Sequence, residues 1–364
     1  LIYHIVRVGQ WLEGKSVYPI YLEISPSGFC NHRCKFCAFD FLNYKPEFID
    51  TQLLKDRLFE MGRLGVKSIL YSGEGEPFLH KDFFKLLSQI YKYSANYQWY
   101  ILSNGSLLNR KNVRILKMFE IDDYQVSLEG LEENNDKIRG KGSFRNILDA
   151  IKILTEQGIH TSVSLTITKE NIEDLMPLAD LLAKSGVDEF RVRRLVPWGK
   201  GSQLINSFLK PQELLTVYRK LEETGRDFLQ KGVNLKISKW CENGFLWMDQ
   251  SRAARCAINN GGILALLPNG DILPCRHLPI KIGNIFENSL EDIFYCDKMK
   301  EMRDTDKMPG YCRKYCSKFN QCLGGAKCIT YTYSGRLDIP DVQCPFKNRI
   351  VAYLEKLKSK IAVL

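Results

Sequence analysis

The chain has 364 residues, 45% of them hydrophobic, with 52 basic residues against 42 acidic ones, a net charge of +10 and a pI near 8.9. Its apolar runs fall well short of the roughly 20 residues that a membrane span requires. Its start, LIYHIVRVGQWLEGK, lacks the basic head, apolar stretch and small-residue cleavage site of a signal peptide, so a cytoplasmic protein with no membrane partner is expected. Bases are interspersed with acids, as in RKLEETGRDFLQKG, which reads as solvated helix faces: the surplus favours anionic partners in general and does not point to a nucleic-acid surface.

In chain order, residues 1–16 form an N-terminal extension, and from residue 17 to 205 short β-rich runs alternate with amphipathic segments. The strand candidates are YPIYLEIS (18–25), VKSILYSG (66–73), QWYILSNG (98–105), DDYQVSLEG (122–130), HTSVSLTIT (160–168) and DEFRVRRLV (188–196). Helical stretches at 51–65, 82–93, 143–158 and 171–186 separate them, the rhythm of a parallel α/β sheet. Short loops suit a partial (β/α)6 barrel of the TIM type, with its active site at the carboxyl ends of the strands. The loops SPSGFC, SGEGEP, SNGS and SLEG, after the first four strands, are where chemistry is expected. Residues 206–239 form a helical bridge, centred on PQELLTVYRKLEETGRDFLQK. Residues 240–345 are rich in Cys, Gly and turn signals and are expected to need metal rather than a large core, and 346–364 reads as a closing helix.

The twelve cysteines are unevenly spread: three at 30–37, none at 38–240 and nine between 241 and 344. A disulfide framework would not leave such a gap, so two metal-bearing regions are expected. Cys30, Cys34 and Cys37, at spacings of four and three, can hold three irons of a four-iron cluster and leave the fourth open for catalysis. A zinc site completed by His32 is the alternative, although His32 lies inside the ligand loop.

A C-x3-C-x2-C run after the first strand of an α/β barrel, with Phe36 before the third cysteine, resembles the radical S-adenosylmethionine (SAM) enzymes. The resemblance extends through Gly73-Glu74-Gly75-Glu76-Pro77, Ser103-Asn104-Gly105, Ser127-Leu128-Glu129-Gly130, Arg139-Gly140 and Asn171. It implies that the open iron chelates S-adenosylmethionine, and that an electron from a flavodoxin- or ferredoxin-type donor yields a 5′-deoxyadenosyl radical that takes a substrate hydrogen atom. Gly73, Gly75, Glu76 and Pro77 would then receive the cofactor's ammonium group, and Phe36 would pack on adenine. Ser103, Asn104 and Arg139 would join the cofactor site, Ser127 and Glu129 would suit ribose or substrate, and Arg191, Arg193 or Arg194 would pair with the cofactor carboxylate.

The second cysteine region resembles the SPASM extension, with two auxiliary four-iron clusters. Carried over, the pattern assigns Cys256, Cys275 and Cys328 to an inner cluster and Cys312, Cys316, Cys322 and Cys344 to an outer one. The spacings C-x3-C (312, 316) and C-x5-C (322, 328) depart from the usual pattern and leave the pairing of Cys328 open. Cys241 would complete the inner cluster or remain a thiol, and Cys296 is either a packed hydrophobe or, like Cys241, a candidate hydrogen-atom donor to a substrate radical. The resemblance implies an oxidoreductase or epimerase acting on a peptide, with Cα epimerisation ahead of crosslinking or oxidation. The alternative is an epimerase or dehydrogenase of a sugar, aminoglycoside or nucleotide-linked small molecule. About 17 residues precede the first strand, too few for a winged-helix leader-peptide domain at this end. A non-enzymatic electron carrier or zinc-stabilised module is the contrasting class, and GEGEP and SNG would have no use in it.

Overall fold

A computed structural model describes residues 19, 21–39, 47–63, 66, 68–72, 74–93, 98–239, 256–260 and 262–346. Cys241, Gly73, the N-terminal extension and the closing helix expected from 346 onward lie outside the described residues, apart from Phe346 itself.

The six expected strands form: β1 (Tyr21–Ile24), β2 (Ser68–Tyr71), β3 (Gln98–Ser103), β4 (Asp123–Ser127), β5 (Thr161–Ile167) and β6 (Glu189–Arg194). Between them run α1 (Thr51–Arg63), α2 (Phe83–Tyr93), α3 (Arg110–Met118), α4 (Glu132–Arg139), α5 (Ser143–Glu156) and α6 (Leu175–Lys184). The helix starts follow local chemistry. Asp50 Oδ1 accepts the Gln52 and Leu53 amides ahead of α1, and Asn109 and Asn112 form a reciprocal cap on α3. Strands β2, β5 and β6 are almost wholly buried, as parallel strands covered on both faces must be.

After α7 (Pro211–Gln230) the chain adds β7 (Lys236–Lys239), parallel to β6, inside the stretch expected to be only a helical bridge. KISK is too short and too basic to announce a strand, and its place is set by pairing with β6.

The larger correction concerns the Cys-rich region. Strand β8 (Ile263–Leu266) pairs in parallel with β1, and β9 (Asp271–Leu273) and β10 (Gly283–Asn284) follow antiparallel. Among the described residues one ten-stranded sheet results, in the order β10-β9-β8-β1-β2-β3-β4-β5-β6-β7. Leu264, Leu266, Ile272, Ile285, Phe294 and Ile329 share one continuous core with Leu22, Ile24 and Val163. Each such buried side chain contributes about 1.5–3 kcal/mol, so this region draws on the barrel's core as well as on any metal. Short helices α8 (Leu290–Phe294), α9 (Asp297–Arg303), α10 (Gly310–Tyr315), α11 (Phe319–Cys322) and α12 (Lys327–Ser334) follow, with Cys312, Cys322 and Cys328 on the last three and Cys296 and Cys316 at helix caps. Among the described residues no helix is long and apolar enough to cross a membrane.

Candidate functional site

The loop bearing Cys30, Cys34 and Cys37 leaves the carboxyl end of β1 and is tied to the next two strand ends by short-range polar contacts. The Glu76 amide donates to the Phe29 carbonyl at 2.7 Å. A Cβ at Gly75 would lie 2.1 Å from that carbonyl oxygen, so only glycine permits this approach. The buried Glu76 carboxylate then accepts the Ser103 hydroxyl (2.7 Å) and the Asn104 amide (2.8 Å), and Pro77 opens a 3-10 turn over it. Burial raises the Glu76 carboxyl above the usual carboxylate range, and these hydrogen bonds oppose the shift. The Asn104 side chain donates to Asn31 Oδ1 (2.9 Å) and reaches Cys30 Sγ (3.9 Å).

On the other side Glu129 and Arg139 form a buried pair. Arg139 Nε and Nη2 both reach Glu129 Oε1, at 3.1 and 2.5 Å, and Glu129 Oε2 accepts the Thr166 amide at 2.7 Å. Arg139 Nη1 also points at Cys34 Sγ (3.8 Å), and its guanidinium lies 5.6 Å from the centroid of the Phe36 ring. Asn171 donates to the Glu129 and Thr166 carbonyls, both at 2.9 Å, and fixes the strand-four loop. Glu129, expected at ribose or substrate, therefore has its carboxylate engaged in orienting Arg139 under the cysteine loop.

A cavity opens between these groups. Cys34, Phe36, Cys37, Ala38 and Phe39 form its roof, and Leu102, Gln125, Ser127, Glu129, Ser164 and Thr166 its strand-end wall. Arg193 and Arg194 close it from β6, and Arg276 and His277 enter from the residues directly after Cys275. Of the three candidate arginines, Arg193 and Arg194 line the cavity, and Arg193 donates to Gln125 Oε1 at 3.3 Å. Arg191 does not line it. Its Nη1 donates to Asp123 at 2.7 Å and its Nη2 to Glu189 at 2.6 Å, so its guanidinium serves these buried carboxylates rather than a ligand there. Arg194 grips Asp341 with both terminal nitrogens, at 3.0 and 2.8 Å, binding β6 to the segment before Cys344.

Burial also acts on the thiols. Burial pushes Cys30 up to about 11, and Glu76, Cys34 and Cys37 add to the shift. Thiols so placed ionise readily only beside a cationic centre, which a cluster iron supplies. The same holds for Cys275, raised well above the usual thiol range by burial, Glu23, Cys328 and Cys256, and for Cys322, pushed up to about 12. Cys256 and Cys328 thus each lie within electrostatic range of Cys275. Cys312, Cys316, Cys322 and Cys344 line a separate cavity with Phe319 and Asp341. Among the described residues, no three His, Cys, Asp or Glu side chains close around a position for a single metal ion.

Cys296 is brought to neither set. It caps α9, half-buried, and packs on the common core, where it lines neither cavity. A hydrogen-atom donor must reach the substrate, so the packed-hydrophobe reading is the one this position fits.

Several residues at the site carry no sequence signal of their own. Arg276, in the segment after β9, and Glu23 of β1 approach to 3.5 Å, a pairing visible only once the two ends of the chain share a sheet. Gly199 and Gly201 let the segment after β6 pack against the carbonyls of Phe36, Cys37 and Ala38. Gly199, at φ +55 against two backbone carbonyls, admits no other residue without strain.

A family profile described as the radical SAM superfamily matches residues 24–182, and one described as an iron–sulfur cluster-binding domain, SPASM, matches 256–318. The chain is 30% identical over 226 residues to the Fe-coproporphyrin III synthase of Methanosarcina barkeri, 60% of this chain but only 55% of that protein. It is 27% identical over 304 residues to the PqqA peptide cyclase of Granulibacter bethesdensis, 78% of this chain and 76% of that one. Its fold is similar to that of Streptococcus suis SuiB, solved bound to S-adenosylmethionine, with TM-score 0.75 and 21% identity over 93% of this chain and 80% of that one.

Proposed function

We propose, for a chain that belongs to the radical SAM superfamily and carries an iron–sulfur cluster-binding SPASM domain, that it removes a hydrogen atom from a peptide and leaves the product oxidised. When bound, the reduced cluster and S-adenosylmethionine supply the radical that takes the hydrogen atom. Cys30, Cys34 and Cys37 hold that cluster, and Asn104 and Arg139 brace its loop from two sides. Ser127, Ser164 and Gln125 present polar groups from successive strand ends, and Arg193 offers a guanidinium for a carboxylate. Cys256, Cys275, Cys328, Cys312, Cys316, Cys322 and Cys344 hold the auxiliary clusters, and Cys241, outside the described residues, is a candidate further ligand.

The observation that carries oxidation over epimerisation is the position of Arg276 and His277. They line the cavity and follow Cys275 directly, so the inner auxiliary site adjoins the reacting space, where an electron leaving the substrate can be received. Among the described residues the cysteines lining that cavity are Cys34 and Cys37, both assigned to the cluster, which leaves Cys241 as the remaining candidate donor for a Cα epimerase. The peptide reading draws support from the cyclase relative, matched over three quarters of its length. A carboxylate-bearing tetrapyrrole is the second reading, on the likeness to the coproporphyrin synthase.

The test is anaerobic reconstitution and turnover in deuterated water with a pooled library of short peptides and, separately, Fe-coproporphyrin III. A peptide product two hydrogens lighter and free of deuterium is expected. A product one mass unit heavier, with one hydrogen replaced by deuterium, contradicts oxidation in favour of epimerisation, and turnover of the porphyrin alone contradicts the peptide.

A further inference from the structure

Gln125 and Ser127 both line the cavity from β4, and Gln125 sits one layer, roughly 7 Å, below the strand end. Its neighbours in register are Leu102 on β3 and Ser162 on β5, and it is 4% exposed. Its Oε1 accepts Arg191 Nη1 at 3.1 Å and Arg193 Nη2 at 3.3 Å. These two bonds decide which way the amide points. A guanidinium only donates, so the atom between two of them has to be the oxygen, and both of its lone pairs are then in use. Arg191 is itself tied to Asp123 and Glu189, which holds the amide in this orientation. The Nε2 group keeps two N–H donors and, among the described residues, has no acceptor.

A buried donor without an acceptor is costly, and the space next to Gln125 is the cavity, so the complement of this wall is an acceptor on a ligand. Arg193, held through the same oxygen, brings a positive charge to the same wall. Glu129, which also lines the cavity, has its carboxylate taken up by Arg139 and the Thr166 amide. A donor amide beside a guanidinium suits the two oxygens of a carboxylate, whereas a neutral side-chain amide would set an N–H against one of them.

We propose that Gln125 is a specificity-determining residue whose amide N–H groups, together with Arg193, hold a carboxylate of the substrate. For a peptide this is the side chain of an Asp or Glu beside the carbon that loses its hydrogen, and a tetrapyrrole carboxylate has the same chemistry. The proposal rests on the reading that this cavity receives the substrate.

The experiment measures binding to the anaerobically reconstituted full chain in the presence of S-adenosylmethionine, with two matched pairs of probes. One pair is a pool of short peptides carrying Asp and Glu and its match carrying Asn and Gln in their place. The other is Fe-coproporphyrin III and its methyl ester. The parent should favour the acid member of one pair about tenfold, the size of one hydrogen bond to a charged group. Q125E keeps an acceptor for both arginines and turns the cavity-facing donor into an acceptor, and Q125M removes the donor without adding charge. Both should abolish the preference. A merely structural role would weaken both members of a pair alike, leave their ratio intact and overturn the proposal. No preference in either pair with the parent overturns it as well. Loss of S-adenosylmethionine binding in Q125E assigns the residue to the cofactor and also overturns it. If Q125E loses iron, the ratio in Q125M decides. A preference confined to the porphyrin pair and lost in the variants upholds the role of Gln125 and contradicts the peptide reading instead.

Discussion

The two cysteine regions share one sheet but are built differently. Around Cys30, Cys34 and Cys37, each neighbouring strand end delivers a polar side chain to a loop of its own: Glu76 to Ser103 and Asn104, Glu129 to Arg139 and Thr166. Around the C-terminal cysteines, short helices and glycine turns converge on one carboxylate. Asp341 accepts Arg194 from the barrel, the Ala326 amide ahead of Cys328 and the Gln343 amide ahead of Cys344. Gly325 is pressed so closely against it that a Cβ would lie 2.4 Å from the Asp341 Cβ. The barrel spreads its constraint over several strand ends, whereas the C-terminal region concentrates it at a single residue. Loss of one contact should therefore be local in the first region and general in the second.

The largest effect is expected at that single residue. Asp341→Ala removes the carboxylate from a pair with Arg194 whose side chains are both 1% exposed, leaving Arg194 its bond to Gln343 but no opposite charge there. It should cost about 3–5 kcal/mol, read as a lowered urea midpoint under anaerobic conditions, with loss of iron from the outer site. A shift no larger than that of a surface pair such as Arg110–Glu156 would break the contrast. In the barrel, Glu76→Gln puts an amide donor against either the Ser103 hydroxyl or the Asn104 amide and should cost about 1–3 kcal/mol. Its iron content at the C-terminal sites should be unchanged. A loss of C-terminal iron in this variant would mean that the two regions are not independently constrained.

The smallest effect lies at the opposite end of the strands. His160, half-exposed, is bonded to Asp123 at 3.0 Å, and that hydrogen bond raises the imidazole above its ordinary value, against desolvation and with Asp188 and Glu189 contributing. A folded value above the unfolded one means that the stabilisation is complete below about pH 6.5 and is lost as the pH rises through the folded value. Solvent screening keeps it under about 1 kcal/mol. His160→Gln should thus be less stable than the parent at acid pH and equal to it at alkaline pH; a constant difference across the range would remove the ionic contribution.

The same contrast explains what was legible in the sequence. The barrel strands and the loops GEGEP, SNG and SLEG are contiguous signals, each set by local pattern and by its place after a strand. The joining of β8 to β1, the cavity role of Arg276 and His277, and the Arg194–Asp341 clamp depend on contacts between residues far apart in the chain, which no periodicity records. Arg191 and Arg193 illustrate the limit. Both fall on one face of β6, and only the depth of Asp123 and Glu189 in the sheet decides which of them meets the cavity.

The most direct test of the account compares reductive S-adenosylmethionine cleavage and iron content in Cys34→Ala and Cys322→Ala, each reconstituted anaerobically beside the parent. Both should lose about four irons. Cys34→Ala should lose cleavage altogether, while Cys322→Ala, if folded, should retain it. Cleavage that survives in Cys34→Ala, or disappears from a folded Cys322→Ala protein, would contradict the assignment of radical generation to the barrel loop alone.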